Sequence, residues 1–118
     1  MKAYSTNSIL RFGMFDGYQL GVAFVFAPSY IEWCINNIDD FFISDIDTLK
    51  RQRVAKRTSV WLDHDLGMPH LSWPEIEVCE TLDDVNKNID LSNKTYEFSK
   101  RALDLNQRRL QKYNDETH

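Results

Sequence analysis

The chain predicts an α+β fold, mainly helical, with a small N-terminal β-hairpin packed on helices and a long C-terminal helix. Three observations predict it. Gly13 and Gly17 bracket Met14-Phe15-Asp16, a spacing that suits a tight turn with glycine wherever φ must be positive. Ile31, Cys34, Ile35 and Ile38 follow Pro28 at i, i+3, i+4 and i+7, one apolar helical stripe. Near the chain end, Tyr96, Phe98, Ala102, Leu103, Leu105, Leu110 and Tyr113 fall in one half-circle at helical spacing. A length of 118 residues suits one domain over 1–118 with one modest core.

The elements follow in order. Ile9-Leu10-Arg11-Phe12 reads as a short strand leading into the glycine turn. Leu20 to Phe26 is apolar throughout and is expected to be buried as either helix or strand. Pro28 suits a first helical turn, where a missing N–H leaves nothing unsatisfied. Tyr30 and Trp33 widen the stripe of that helix as core residues, and Asn36-Asn37 and Asp39-Asp40 end it. After the apolar Phe41-Phe42-Ile43, Ser44 is placed to cap a helix from Asp45, with Asp47 as the acid of a shortened capping box. Ile46 and Leu49 anchor this helix, and Lys50, Arg51, Arg53, Lys56 and Arg57 form its basic C-terminal half. Residues 58–90 read as an irregular acidic segment, with short strands at Thr58–Leu62 and Ile76–Cys79. Ser92 is expected to cap an amphipathic helix over 91–113, with Glu97–Arg101 and Asp104–Arg108 as i, i+4 pairs and the last five residues frayed.

Composition narrows the function classes. The net charge is −4, which argues mildly against a dedicated nucleic-acid binder, since such proteins draw much of their affinity from Lys and Arg. The charge is distributed in blocks, however, and residues 50–57 are basic between two acidic stretches. Cys34 and Cys79 are the only cysteines, and two thiols suggest a reducing, cytoplasmic setting. The N-terminus has no apolar signal core, and no apolar run approaches the roughly 20 residues that span a bilayer.

The stretch Phe12-Gly13-Met14-Phe15-Asp16-Gly17-Tyr18-Gln19-Leu20, followed by Pro28-Ser29-Tyr30-Ile31-Glu32-Trp33, resembles the C-terminal module of exonuclease X-like proteins. That module also occurs in short stand-alone bacterial proteins. It reads Phe-Gly-x-x-x-Gly-x-x-Leu, a spacer, then Pro-x-Tyr-Leu/Ile-x-Trp. The likeness covers about residues 9–50. It implies a glycine-shaped hairpin with the Tyr/Trp helix packed on it, and an accessory module without the nuclease domain. Met14 and Asp16 stand where the family usually carries lysines, so the hairpin lacks those cations.

Among the chemistry-bearing groups, Lys50, Arg51, Arg53, Lys56 and Arg57 are the candidates for contacting a nucleic-acid backbone, with Phe15 and Tyr18 as stacking aromatics. A solvated helix end, its cations complementing the dipole, is the plainer reading of the same run. Asp63-His64-Asp65 with His70 holds metal-capable side chains, but their spacing fits no ligand template, and a polar turn is the favoured reading. No nucleophile motif or phosphate-binding glycine loop occurs, and Cys34 fits a core thiol. No catalytic residue, metal or cofactor is therefore expected. Trp61 and Trp73 lie in the irregular segment, either packed there or forming an exposed binding surface. Tyr96, Leu103 and Leu110 recur every seven residues and are the candidates for a helix-mediated dimer, although Ser99 and Asn106 interrupt the seam. The expected function is a non-catalytic accessory module in nucleic-acid metabolism, binding nucleic acid or a nucleic-acid-processing enzyme. The alternative is a protein–protein interaction module with no nucleic-acid contact. No membrane partner is expected, and the expected state is a monomer or weak homodimer.

Overall fold

The first strand of the chain, β1 (Ala3–Tyr4), pairs in parallel with the distant β2 (Phe42–Ile43), Ala3 opposite Phe42 and Tyr4 opposite Ile43. A parallel pair needs a long crossover, and here the crossover holds the glycine turn and two helices. The computed structural model describes residues 3–56 and 79–117. Among these it shows the expected α+β fold, mainly helical.

Helix α1 (Leu20–Phe26) lies at the centre, with all seven residues buried. A helix that is apolar on every side has to be enclosed on every side. It packs on α2 (Pro28–Asn37), β3 (Arg53–Ala55) and α4 (Leu82–Asn88). Ala27 breaks the helical path at φ −146°, as the residue before a proline tends to, and Pro28 opens α2. The stripe of α2 is inward as expected: Ile31, Cys34 and Ile35 are buried. Asn37 closes it, and Asp40 turns the chain at φ 64°.

Several expected elements are redrawn. Ile9–Phe12 forms no strand but one antiparallel bridge, Ile9 to Gln19. A 3₁₀ turn at Gly13–Phe15 fills the space between the two arms. Phe41-Phe42-Ile43 is buried, and Phe42 and Ile43 form β2. Ser44 caps no helix. Its hydroxyl donates to the Tyr4 carbonyl, and α3 (Ile46–Arg51) begins after Asp45 with no side-chain cap. The Asp45 carboxylate is engaged elsewhere, accepting from the Thr6 N–H at 3.0 Å and hydroxyl at 2.9 Å.

The basic helix stops at Arg51, because Val54 and Ala55 turn inward as part of β3. β3 pairs antiparallel with β4 (Leu91–Thr95), Arg53 opposite Thr95 and Ala55 opposite Leu91, with an irregularity between them. Leu91–Thr95 was expected to be helical, but β3 offers a ladder that a helix there would leave unmade. Ser92 is accordingly no helix cap: its hydroxyl donates to the Val54 carbonyl.

The C-terminal helix α5 (Lys100–Thr117) starts later and runs further than expected. Ser99 starts it, its hydroxyl accepting from the Ala102 N–H. Glu97 precedes the helix, so its i, i+4 pairing with Arg101 is lost. The segment read as irregular contains α4, closed by a capping box in which Thr81 and Asp84 exchange hydrogen bonds. Residue Cys79 is buried and belongs to no strand. The strand expected at 58–62, residues 76–78 of the second one, Arg57, Trp61, Trp73, and Asp63, His64, Asp65 and His70 lie outside the described residues.

Candidate nucleic-acid interface

The glycine turn and the Tyr/Trp helix form one packed unit. The Leu10 N–H donates to the Tyr18 carbonyl at 2.9 Å and the Gly17 N–H to the Leu10 carbonyl at 2.8 Å, which closes the hairpin. Gly13 sits at φ +70°, and a Cβ there would overlap the Tyr30 hydroxyl. Glycine is therefore required for backbone conformation and for contact alike. The Tyr30 ring lies between Phe15, 5.4 Å away, and Trp33, stacked at 6.1 Å.

This packing corrects two assignments. Phe15, expected to be an exposed stacking aromatic, is fully buried as the floor under Tyr30. Trp33, expected in the core, is 44% exposed. The reason is angular: Trp33 lies about 100° around the helix from Cys34, at the edge of the buried stripe, and farther still from Ile31 and Ile35. Tyr18 is half-buried, edge-on to Phe15, and lines a recess with Gln19, Glu80 and Thr81.

Below Tyr30, burial pushes the Cys34 thiol up to about 12, an effect its hydrogen bond from the Tyr30 hydroxyl only partly offsets. Burial also raises Tyr30 to about 12, helped by the neighbouring Cys34. Cys34 is thus a protonated core thiol at neutral pH, unsuited to act as a nucleophile.

The basic candidates occupy the turn from α3 into β3. Lys50, Arg51, Arg53 and Lys56 are all exposed, while Leu49 and Val54 are buried and anchor the turn from inside. Gln52 braces it across the fold, its Nε2 donating to Asn86 Oδ1 at 3.0 Å. Because the helix ends at Arg51, Arg53 and Lys56 do not continue the Ile46–Leu49 stripe. Lys56 is tied to Asp90, Nζ to Oδ2 at 3.0 Å, and Lys50 lies 3.7 Å from the exposed Asp47. Among the described residues Arg51 and Arg53 have no ion-pair partner. Strand pairing places Thr95 opposite Arg53. Local sequence could not have signalled that pairing, since Thr95 lies far along the chain.

The three residues of the heptad spacing do not share one helix. Tyr96 lies before α5, its ring edge-on to Phe24 at 6.0 Å and to Phe98 at 5.2 Å. Leu103 packs on the core of its own chain, and Leu110 is half-buried further along the helix. Among the described residues no group of three or more His, Cys, Asp or Glu side chains is placed to hold a metal ion. No helix among them is long and apolar enough to cross a membrane. The fold thus defines a small α+β protein whose exposed groups of interest are a basic turn and one tryptophan. Comparison with protein-family models, curated proteins and solved structures returned no match for this chain.

Proposed function

We propose that the chain is a non-catalytic accessory module in nucleic-acid metabolism that binds the phosphate backbone at the α3–β3 turn. The observation that carries this reading is the projection of Lys50, Arg51 and Arg53 from one rigidly anchored turn, with Arg51 and Arg53 outside any ion pair among the described residues. Cations held on a fixed scaffold and not already neutralised are what phosphate contacts require. The resemblance of residues 9–50 to an exonuclease X-like module supports the same assignment.

Fluorescence anisotropy of labelled single- and double-stranded oligonucleotides tests it. Micromolar affinity at low salt is expected, weakening as salt rises. Replacing Lys50, Arg51 and Arg53 by alanine should reduce the salt slope by about 3, near one unit per lost contact. Absence of binding at any salt would refute the reading.

A second reading, interaction with protein, is favoured by Trp33. Its indole is stacked on Tyr30 and, at 44% exposed, presents one side to a partner. Tryptophans of this kind often anchor interfaces. Self-association through this surface predicts a concentration-dependent mass in sedimentation that Trp33→Ala abolishes. A constant monomer mass would exclude it.

A further inference from the structure

The far end of α5 carries a second basic surface that the sequence pattern did not single out. A groove of about 230 Å³ lies between α5 and the turn after α2, lined by Asp40, Leu105, Arg108, Arg109 and Lys112. Arg109 forms its inner wall. Its Nη1 donates to the carbonyls of Ile35 at 2.7 Å, Phe41 at 2.7 Å and Ile38 at 3.4 Å. The side chain thereby satisfies the carbonyl end of α2 and is held in place, leaving its Nε and Nη2 without a hydrogen bond among the described residues.

Arg108 and Lys112 stand on the outer wall, both exposed and both without an ion-pair partner among the described residues, so the i, i+4 pair expected between Asp104 and Arg108 is not formed. They are four residues apart on one helix, an arrangement of like charges that is unfavourable unless an anion lies between them. Asp40 is the only carboxylate in the lining. One hydrogen-bonded guanidinium, two exposed cations and one carboxylate leave the lining net positive.

We propose that this groove is a phosphate-binding site, with Arg108 and Lys112 closing on the phosphate oxygens and Arg109 providing a fixed positive wall. It rests on the nucleic-acid reading only in taking the phosphate to belong to a nucleic-acid backbone. An inorganic phosphate would be recognised by the same chemistry. A planar, preorganised guanidinium suits phosphate oxygens, while a lysine adds a point charge.

The test is a double variant, Arg108→Ala with Lys112→Ala, which leaves Arg109 and its carbonyl contacts in place. Both positions are exposed on a helix, where alanine is well tolerated, and an unchanged thermal melt serves as the folding control. Two measurements are made on the whole chain. The first is oligonucleotide anisotropy against salt, where the double variant should lose about 2 units of salt slope. The second is an NMR titration with inorganic phosphate, following the side-chain N–H signals of Arg108, Arg109 and Lys112. Saturable shifts that the double variant abolishes support the site.

If oligonucleotide binding is lost only in the Lys50/Arg51/Arg53 variant, and phosphate shifts no signal in the groove, the groove proposal is overturned while the backbone-binding reading stands. If no oligonucleotide binds but phosphate still saturates the groove, the site holds for free phosphate and the backbone-binding reading fails. Silence in both measurements overturns both.

Discussion

Asn106 shows how much one side chain decides. It is 1% exposed on α5, its Oδ1 accepting from the Ile43 N–H at 2.7 Å and its Nδ2 donating to the Ile43 carbonyl at 3.0 Å. The amide thus occupies the place of a third strand beside β2, whose other edge pairs with β1. In the sequence Asn106 only interrupted a heptad seam; in the fold it is the polar key of the helix. Asn106→Ala would strand both backbone groups of Ile43 in the interior. At about 1–3 kcal/mol for each orphaned group, a loss of about 3 kcal/mol is expected in urea unfolding. A loss below about 1 kcal/mol would mean that water or a shift of β2 replaces the amide. Cys34 has a similarly definite expectation: buried and protonated, it should resist thiol reagents in the native protein at neutral pH and react once the chain is unfolded. Rapid native labelling of Cys34 would contradict the packing around Tyr30.

Among the elements, α5 depends on α2 for its start as well as its packing. The Ser99 hydroxyl accepts from Ala102 N–H, but no acidic residue follows at the third helical position to complete a capping box. Glu32 of α2 takes that role, its Oε1 accepting from the Ser99 N–H at 2.8 Å. Removing this acceptor with Glu32→Ala should cost about 1 kcal/mol, the usual worth of a cap. Thermal unfolding measures it, and an unchanged melt would show that solvent serves equally well. Glu32 also touches Tyr96, whose phenol is raised to about 12, first by burial and then by the neighbouring carboxylate. Glu32→Gln keeps an acceptor for Ser99 but removes the charge, so the Tyr96 phenol should titrate lower. A phenolate absorbance titration that shows no such shift would count against the contact. At the other end, α4 illustrates local control: Thr81 and Asp84 close its first turn by themselves, and the Asp84 carboxyl is lowered by the N–H groups of Thr81 and Glu80.

At the scale of the whole molecule, three raised acids converge on alkaline instability. Cys34, Tyr30 and Tyr96 are each pushed up to about 12, from ordinary values of 9.0, 10.0 and 10.0. The folded state therefore holds these protons more tightly than the unfolded state. Their contribution to stability is complete below about pH 9 and is lost as pH climbs from there toward about 12. The urea midpoint should fall over that range. The first part of the fall, beginning near pH 9, should be absent in Cys34→Ala. A midpoint level to the top of the range would contradict the burial of all three. The aromatic wall Phe15–Tyr30–Trp33 links this core to the surface, so the same packing that protects Cys34 holds Trp33 in place.

Local pattern was enough to establish the mainly helical α+β class, the positive φ at Gly13 and Gly17, the start of α2 at Pro28, and the burial of Leu20–Phe26, Ile31, Cys34 and Ile35. These rest on local steric rules and short-range periodicity, which operate within a few residues. Tertiary structure decided the conformation of the apolar run Leu20–Phe26, which local pattern left open, and made a strand of Leu91–Thr95 by giving it β3 as a partner. It also decided which residues are offered to solvent. Phe15 went inward beneath Tyr30, Trp33 went outward because helix α2 turned it off the stripe, and Arg53 was paired with the distant Thr95. Pairing partners and burial depend on residues distant along the chain, and no local pattern encodes that distance.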